Sequence, residues 1–270
     1  IIIMVVYAFS TAAGDFTLEN FARMGTYTAV FTRSFKLAII ATLIALLIGY
    51  PVSYMLSKEG PQVQRIAMVL IMLPMWMNFL LRTYSWMSIL ENNGLLNQLF
   101  QQIGLIDLYN QIAMHFASDP AAYVPIDHFQ MIGTQGAVVL GMVYNYLPFM
   151  ILPIYSVLVK LDHSLIEAAR DLGASSVQVF RKVILPLSLP GVLSGITMVF
   201  VPSVSTFAIS RLLGGGTQMM LGDLIEQQFL GGAYNPQLGA AIALVMMAIV
   251  VVCMLVMNRF GDGEEQAVML

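Results

Sequence analysis

Charge is what this sequence has least of. Asp, Glu, Lys and Arg together make up 10% of its 270 residues, while 59% are hydrophobic. A soluble domain carries about 25% charged residues, so the deficit excludes that class and predicts a chain that crosses a membrane repeatedly. Cysteine is nearly missing. Cys253 is the single one and lies in an apolar run, which excludes a disulfide framework and a cysteine-based zinc site and leaves packing as its role. There is no G-x-x-x-x-G-K-[ST] loop, so the chain does not bind ATP by that route. There is no H-E-x-x-H, and His115, His128 and His163 are scattered along the chain, so no metal site is expected. Gly173-Ala174-Ser175-Ser176 contains a Gly-x-Ser, but it sits in a polar stretch with no His in any apolar run. An intramembrane hydrolase is therefore disfavoured. The net charge of -3 is too small to argue from, and no nucleic-acid partner is expected. Membrane lipid surrounds the chain instead.

The apolar runs give the architecture. Residues 1–9 are apolar but short, since a span needs about 20 residues to cross a core of about 30 Å. With no Met start and no basic flank they do not read as a signal peptide. They read as the end of a span whose beginning is missing. Complete spans are expected at residues 36–57, 66–90, 136–159, 187–210 and 238–258. With the partial first one they make six transmembrane helices in one all-α domain, residues 1–270. Residues 10–33 read as a loop with a short interfacial helix. Nearly every span holds proline: Pro51, Pro74, Pro148 with Pro153, and Pro190 with Pro202. Proline bends a helix and frees a carbonyl, which is tolerated where helices pack or line water. The 45 residues from 91 to 135 contain Glu91, Asp107, Asp119 and Asp127 but no Lys or Arg, which places that connection outside. Arg82 lies about two turns from the end of its span, where snorkelling to the interface is the expected behaviour.

The longest polar interruption in the second half is residues 160–186. Ser164-Leu165-Ile166-Glu167 fits a capping box, and Ser175-Ser176-Val177-Gln178 offers a second. Leu165, Ala168, Ala169 and Leu172 fall on one helical face. Gly173 is the natural stop between the two helices. Val177, Phe180 and Ile184 form the apolar face of the second helix, which Pro186 is expected to end. Two short amphipathic helices in a tight bend outside the bilayer result.

These residues resemble a known pattern. Glu167-Ala168-Ala169, Gly173 and Val183-Ile184-Leu185-Pro186 fall at the spacings of the cytoplasmic signature of ABC importer permeases, with Val183 for the usual Ile. The resemblance implies a type I ABC importer transmembrane domain. It makes 160–186 the coupling loop that docks on an ATPase, through Leu165, Glu167, Ala168, Ala169, Gly173, Val177, Phe180, Leu185 and Pro186. Glu167 has both a capping and a docking reading, and the two are compatible. Leu81-Arg82-Thr83-Tyr84-Ser85-Trp86, Asn93-Gly94-Leu95-Leu96-Asn97, Leu212-Leu213-Gly214-Gly215 and the stretch 222–229 resemble the polyamine branch of that family. One departure is Ser205-Thr206 and Ser210-Arg211, where many polyamine permeases place acids.

The resemblance implies a non-catalytic subunit in a bacterial cytoplasmic membrane, carrying spermidine or putrescine inward by alternating access. Its partners would be a second permease subunit, two ATPase subunits that bind the ATP and Mg, and an external polyamine-binding protein. A cargo path is expected to draw on Trp76, Tyr84, Trp86, Glu91, Ser205, Thr206, Asp223 and Glu226. Carboxylates would attract a polycation and aromatic faces would flank it. For each acid an ordinary solvated surface explains it equally well. The hydroxyls between Ser203 and Ser210 have two readings, a polar path or helix-packing contacts. Another small solute is the alternative cargo, and an ATP-independent channel is the alternative class. A channel has no use for an ATPase-docking signature.

Overall fold

The computed structural model describes residues 1–116, 124–232 and 234–265; Asp119 falls outside them. Fourteen α-helices follow one another along the described residues: α1 Ile2–Ala8, α2 Glu19–Arg23, α3 Thr28–Ser57, α4 Pro61–Met72, α5 Phe79–Leu90, α6 Leu95–Gln102 and α7 Leu105–Phe116, then α8 Gln135–Leu158, α9 His163–Asp171, α10 Ser176–Val179, α11 Leu185–Ser205, α12 Ala208–Leu213, α13 Leu221–Leu230 and α14 Pro236–Glu265. No strand occurs among the described residues beyond an isolated bridge between Ser10 and Phe16.

Four helical stretches are long and apolar enough to cross a membrane, at Glu19–Ser57, Gln135–Leu158, Ser176–Ser205 and Pro236–Val256. The first reaches well before residue 36, where the sequence placed its start. At 1.5 Å per residue the 30 residues of α3 alone are about 45 Å long.

Two expected spans are not continuous. Residues 66–90 form a bent pair, in which Pro61–Trp76 and Phe79–Gln102 meet at 89°. Pro74 lies in a 3-10 turn at Leu73–Trp76, Met77 is extended, and Asn78 caps α5 by accepting from the Leu80 amide at 2.8 Å. A proline that tightens the chain and a side chain that starts a new helix together break the span. The span at 187–210 likewise stops at Ser205. Thr206 is extended at ψ 140°, and α12 begins afresh at Ala208.

Helices α3, α8 and α11 make the centre. Lipid tails are as apolar as leucine, so close backbone approach and hydrogen bonds hold such helices together rather than hydrophobic exclusion. The sequence supplies both. Ala38, Ala41, Ala45, Gly49 and Ser53 recur at helical spacing on α3, and all are buried. Ser53 donates to the Ile151 carbonyl at 3.1 Å, and the Tyr50 and Ser188 hydroxyls meet at 2.8 Å. With Phe35 beside Phe200 and Leu37 and Ala41 clustered with Val138 and Met142, these contacts run α3 parallel to α8 and antiparallel to α11. At Gly191 of α11 an added Cβ would stand 2.8 Å from the Pro153 carbonyl oxygen and 3.1 Å from the Ile154 Cα. Only glycine lets the two backbones approach so closely. Around this centre, α14 packs on α11 and α13, α1 on α14, and α5 and α12 on α8.

Candidate coupling hairpin and polar cluster

The hairpin between α8 and α11 is built almost wholly from local signals. Its first cap is Asp162, which accepts from the Ser164 amide at 2.9 Å. This replaces the expected box from Ser164 to Glu167. Asp162 stands one residue before the helix and offers a stronger acceptor than a hydroxyl, so Ser164 and Glu167 lie inside α9. Gly173 has φ +80°. Its amide donates to Arg170 at 2.8 Å, and the Ala174 amide donates to Ala169 at 3.1 Å. Those two bonds are the Schellman pair that closes a helix on a left-handed residue. The second box is present as read: the Ser175 amide donates to Gln178 Oε1 at 2.8 Å, and the Gln178 amide to Ser175 Oγ at 3.4 Å.

Pro186 does not end the second helix. The chain is helical from Ser176 to Ser205, passing through a π-turn at Phe180–Ile184 in which the Leu185 amide donates to the Phe180 carbonyl. The wider turn takes up the missing Pro186 donor, so α10 is continuous with α11. The hairpin therefore joins α11 without an intervening loop.

One side of the hairpin faces its own bundle. Ile166, Ala169, Ala174, Val179, Phe180 and Ile184 pack with Leu158, Tyr50 and Tyr54. The Phe180 ring lies edge-on to both tyrosines, with centroids 5.9 and 5.5 Å apart. The opposite side is open. Leu172 is 88% exposed, Val177 66% and Leu165 47%, and Glu167, Ala168 and Gly173 are exposed beside them. The docking set expected from sequence is thus divided. Leu165, Glu167, Ala168, Gly173 and Val177 look outward, whereas Ala169 and Phe180 anchor the hairpin inward. Leu185 and Pro186 lie on the connecting helix. Apolar side chains held in the open on a capped hairpin suit docking to another protein.

The residues expected along a cargo path do not converge on one point. Trp76 is 75% exposed beside the broken span, and Tyr84 is exposed on α5. Trp86 is half-buried, edge-on to Tyr144 at 5.3 Å. Glu91 is exposed, and its main-chain carbonyl accepts from Asn97 at 3.2 Å. The hydroxyls of Ser203 and Ser205 return to their own helix, donating to Val199 at 2.7 Å and Val201 at 3.2 Å. Such back-bonding satisfies them locally and favours the packing reading. Thr206 sits buried at the break after α11.

Asp223 and Glu226 both lie on α13, at the end of the bundle opposite the hairpin. Asp223 is only 4% exposed. Its Oδ2 accepts from Ser210 Oγ at 2.5 Å and from the Met220 amide at 3.0 Å. It thereby caps α13 and ties it to α12. Burial pushes its carboxyl above the usual range, opposed by the Ser210 and Met220 hydrogen bonds and the Arg211 charge. Glu226 takes a two-pronged ion pair from Arg211, at 3.1 and 2.5 Å. Ser210 and Arg211 thus bind the two acids of α13, a link that sequence separation hid.

Arg82 does not snorkel. It is 8% exposed, and its Nε and Nη1 are buried without a hydrogen-bond partner among the described residues. The bend at Met77–Asn78 turns α5 against α8 and α12 and carries Arg82 inward. Its position in the sequence gave no sign of that bend.

An all-helical chain with several apolar spans, two of them broken, and a hairpin presenting apolar side chains defines a multi-pass membrane protein. Residues 41–263 match the family described as binding-protein-dependent transport system inner membrane component, and the chain belongs to that family. It is 36% identical over 246 residues to the spermidine/putrescine transport system permease protein PotB of Escherichia coli K12, covering 90% of this chain and 82% of that one. It is 37% identical over 240 residues to PotB of Haemophilus influenzae, covering 87% and 77%. Among solved structures, a bacterial ABC transporter involved in import of the acidic polysaccharide alginate has a TM-score of 0.75 at 14% identity, covering 97% of this chain and 88% of that one. The relatives it matches are transporter permease subunits, in keeping with a non-catalytic role.

Proposed function

We propose that this chain is a permease subunit of an ATP-driven importer in a bacterial cytoplasmic membrane, and that its cargo is a polyamine, spermidine or putrescine. What supports the cargo is the resemblance to PotB along nine-tenths of the chain. What supports the mechanism is the hairpin, whose outer face is open and apolar and whose second helix runs straight into α11. In this reading the hairpin is cytoplasmic and its exposed face docks on one of two PotA-like ATPase subunits, which hold the ATP and Mg. A PotC-like permease pairs with this one, and a PotD-like binding protein delivers cargo at the opposite end. Closure of the ATPase pair moves α9 and α10, and the motion passes through the π-turn into α11. The spans then alternate between outward and inward access, and the cargo leaves chemically unchanged.

The test is uptake of labelled spermidine into proteoliposomes containing this chain, its companion permease, the ATPase and the binding protein. ATP-dependent accumulation is expected. ATP hydrolysis that responds to the binding protein without spermidine uptake would retain the importer and discard the polyamine. Failure of the chain to hold an ATPase would discard the importer.

A further inference from the structure

Behind the Arg211–Glu226 ion pair is a small space that the hairpin does not use. It measures about 40 Å³ and is lined by Ser210, Arg211, Gly216, Met219, Asp223 and Gln227. One water needs about 10–15 Å³ by this measure, so there is room for a small polar head. A metal ion is poorly served, since no group of three or more His, Cys, Asp or Glu side chains comes together among the described residues.

Two independent features define what the space would take. The first is an unmatched acceptor. Asp223 spends Oδ2 on Ser210 and Met220, but its Oδ1 is buried with no hydrogen-bond partner among the described residues. A carboxylate oxygen held away from water calls for a donor. The second is charge. Arg211 is already committed to Glu226 through both of its forks, so Arg211, Glu226 and an ionised Asp223 together carry one net negative charge. The occupant should therefore be singly positive, small and rich in donors. A primary ammonium has these properties, with three N–H donors on one compact charge. Gln227, whose side chain carries an amide oxygen able to accept, lines the same space, as do Met219 and Gly216.

We propose that Asp223, Gln227 and the space between them form a subsite for one primary ammonium head of the transported amine. This rests on the polyamine reading and names a place on the chain for one end of the cargo. The site lies just beyond the break between α11 and α12. Cargo held there lies against α12, the helix that follows the break. Binding needs the ionised carboxylate. Burial and Glu226 raise the Asp223 pKa, while Ser210, Met220 and Arg211 lower it. Affinity should fall as pH drops through that pKa.

The test uses the assembled transporter in detergent, without its binding protein, and equilibrium binding of labelled spermidine. Methylammonium chloride and sodium chloride serve as competitors at matched concentration. Wild type is expected to bind spermidine and to release it to methylammonium but not to sodium. Asp223→Asn keeps an oxygen for Ser210 and the Met220 amide while removing the charge. It should weaken binding about tenfold or more, as expected for losing a charged hydrogen-bond partner. Gln227→Leu fills the space and leaves the cap alone, so it should weaken binding with unchanged thermal stability. Unaltered spermidine affinity in both variants, or equal competition by sodium, would overturn the subsite. Spermidine uptake by wild type, measured in parallel, would show in either case whether the polyamine reading itself stands.

Discussion

Replacing Gly173 tests the hairpin at its left-handed turn. Gly173 has φ +80°, and an added Cβ would meet nothing within 4 Å. Any cost is therefore conformational and not steric crowding by neighbours. For an L residue the left-handed region costs about 1–2 kcal/mol. The lower entropy of the unfolded chain returns about 0.4–1 kcal/mol. Gly173→Ala should then destabilise the closed hairpin by about 1 kcal/mol, and Gly173→Asn by less, because asparagine tolerates this region.

Gly173→Pro is a different perturbation. Proline fixes φ near about −65°, so the chain cannot turn there. The Gly173 amide bond to Arg170 is lost outright, and the Ala174 bond to Ala169 goes with the turn. At about 1 kcal/mol net for each bond, on top of the turn itself, the loss is about 3 kcal/mol or more. The hairpin should open while the spans, which rest on α3, α8 and α11, still insert. In proteoliposomes Gly173→Pro should hydrolyse ATP but accumulate about tenfold less cargo or worse, with Gly173→Ala close to wild type. Wild-type uptake and coupling by the proline variant would refute the docking role of the hairpin.

Two further substitutions probe the bundle. Gly191→Ala places a methyl against the Pro153 carbonyl and the Ile154 backbone, and α8 and α11 must part. A loss of about 1–3 kcal/mol is expected, read as a lower melting temperature in detergent; an unchanged melting temperature would mean that the helices yield without cost. Arg82→Met removes a guanidinium with two buried nitrogens that lack a hydrogen-bond partner among the described residues. Each unmatched group costs about 1–3 kcal/mol, so the isolated subunit should gain stability, and a drop in melting temperature would show that Arg82 has a partner worth more than its burial.

The amino-acid sequence by itself determined the class. Scarce charge and long apolar runs left no choice but a multi-pass helical chain, because only a helix satisfies every backbone group within one segment in lipid. It also determined most of the hairpin. Gly173, Ser175 and Gln178 act within four residues of themselves, so their roles can be read from spacing alone. Tertiary structure decided the rest, wherever an outcome depends on groups far apart in the chain. Pro74 and Asn78 both stand in the sequence, yet the 89° bend they permit follows from where α5 finds its contacts on α8 and α12. That bend buries Arg82, which lies close enough to the expected end of its span to reach the interface. Pro186 reads as a stop, but a π-turn earlier in the helix absorbs its missing donor and lets α10 run on into α11. In the sequence Asp223 reads equally as a cargo-path acid or as a solvated one. It is buried because Ser210, across the glycine-rich turn, comes within hydrogen-bonding distance once α12 and α13 fold together. Local signals name the helices and their caps; which buried polar group meets which partner is fixed only when the helices pack.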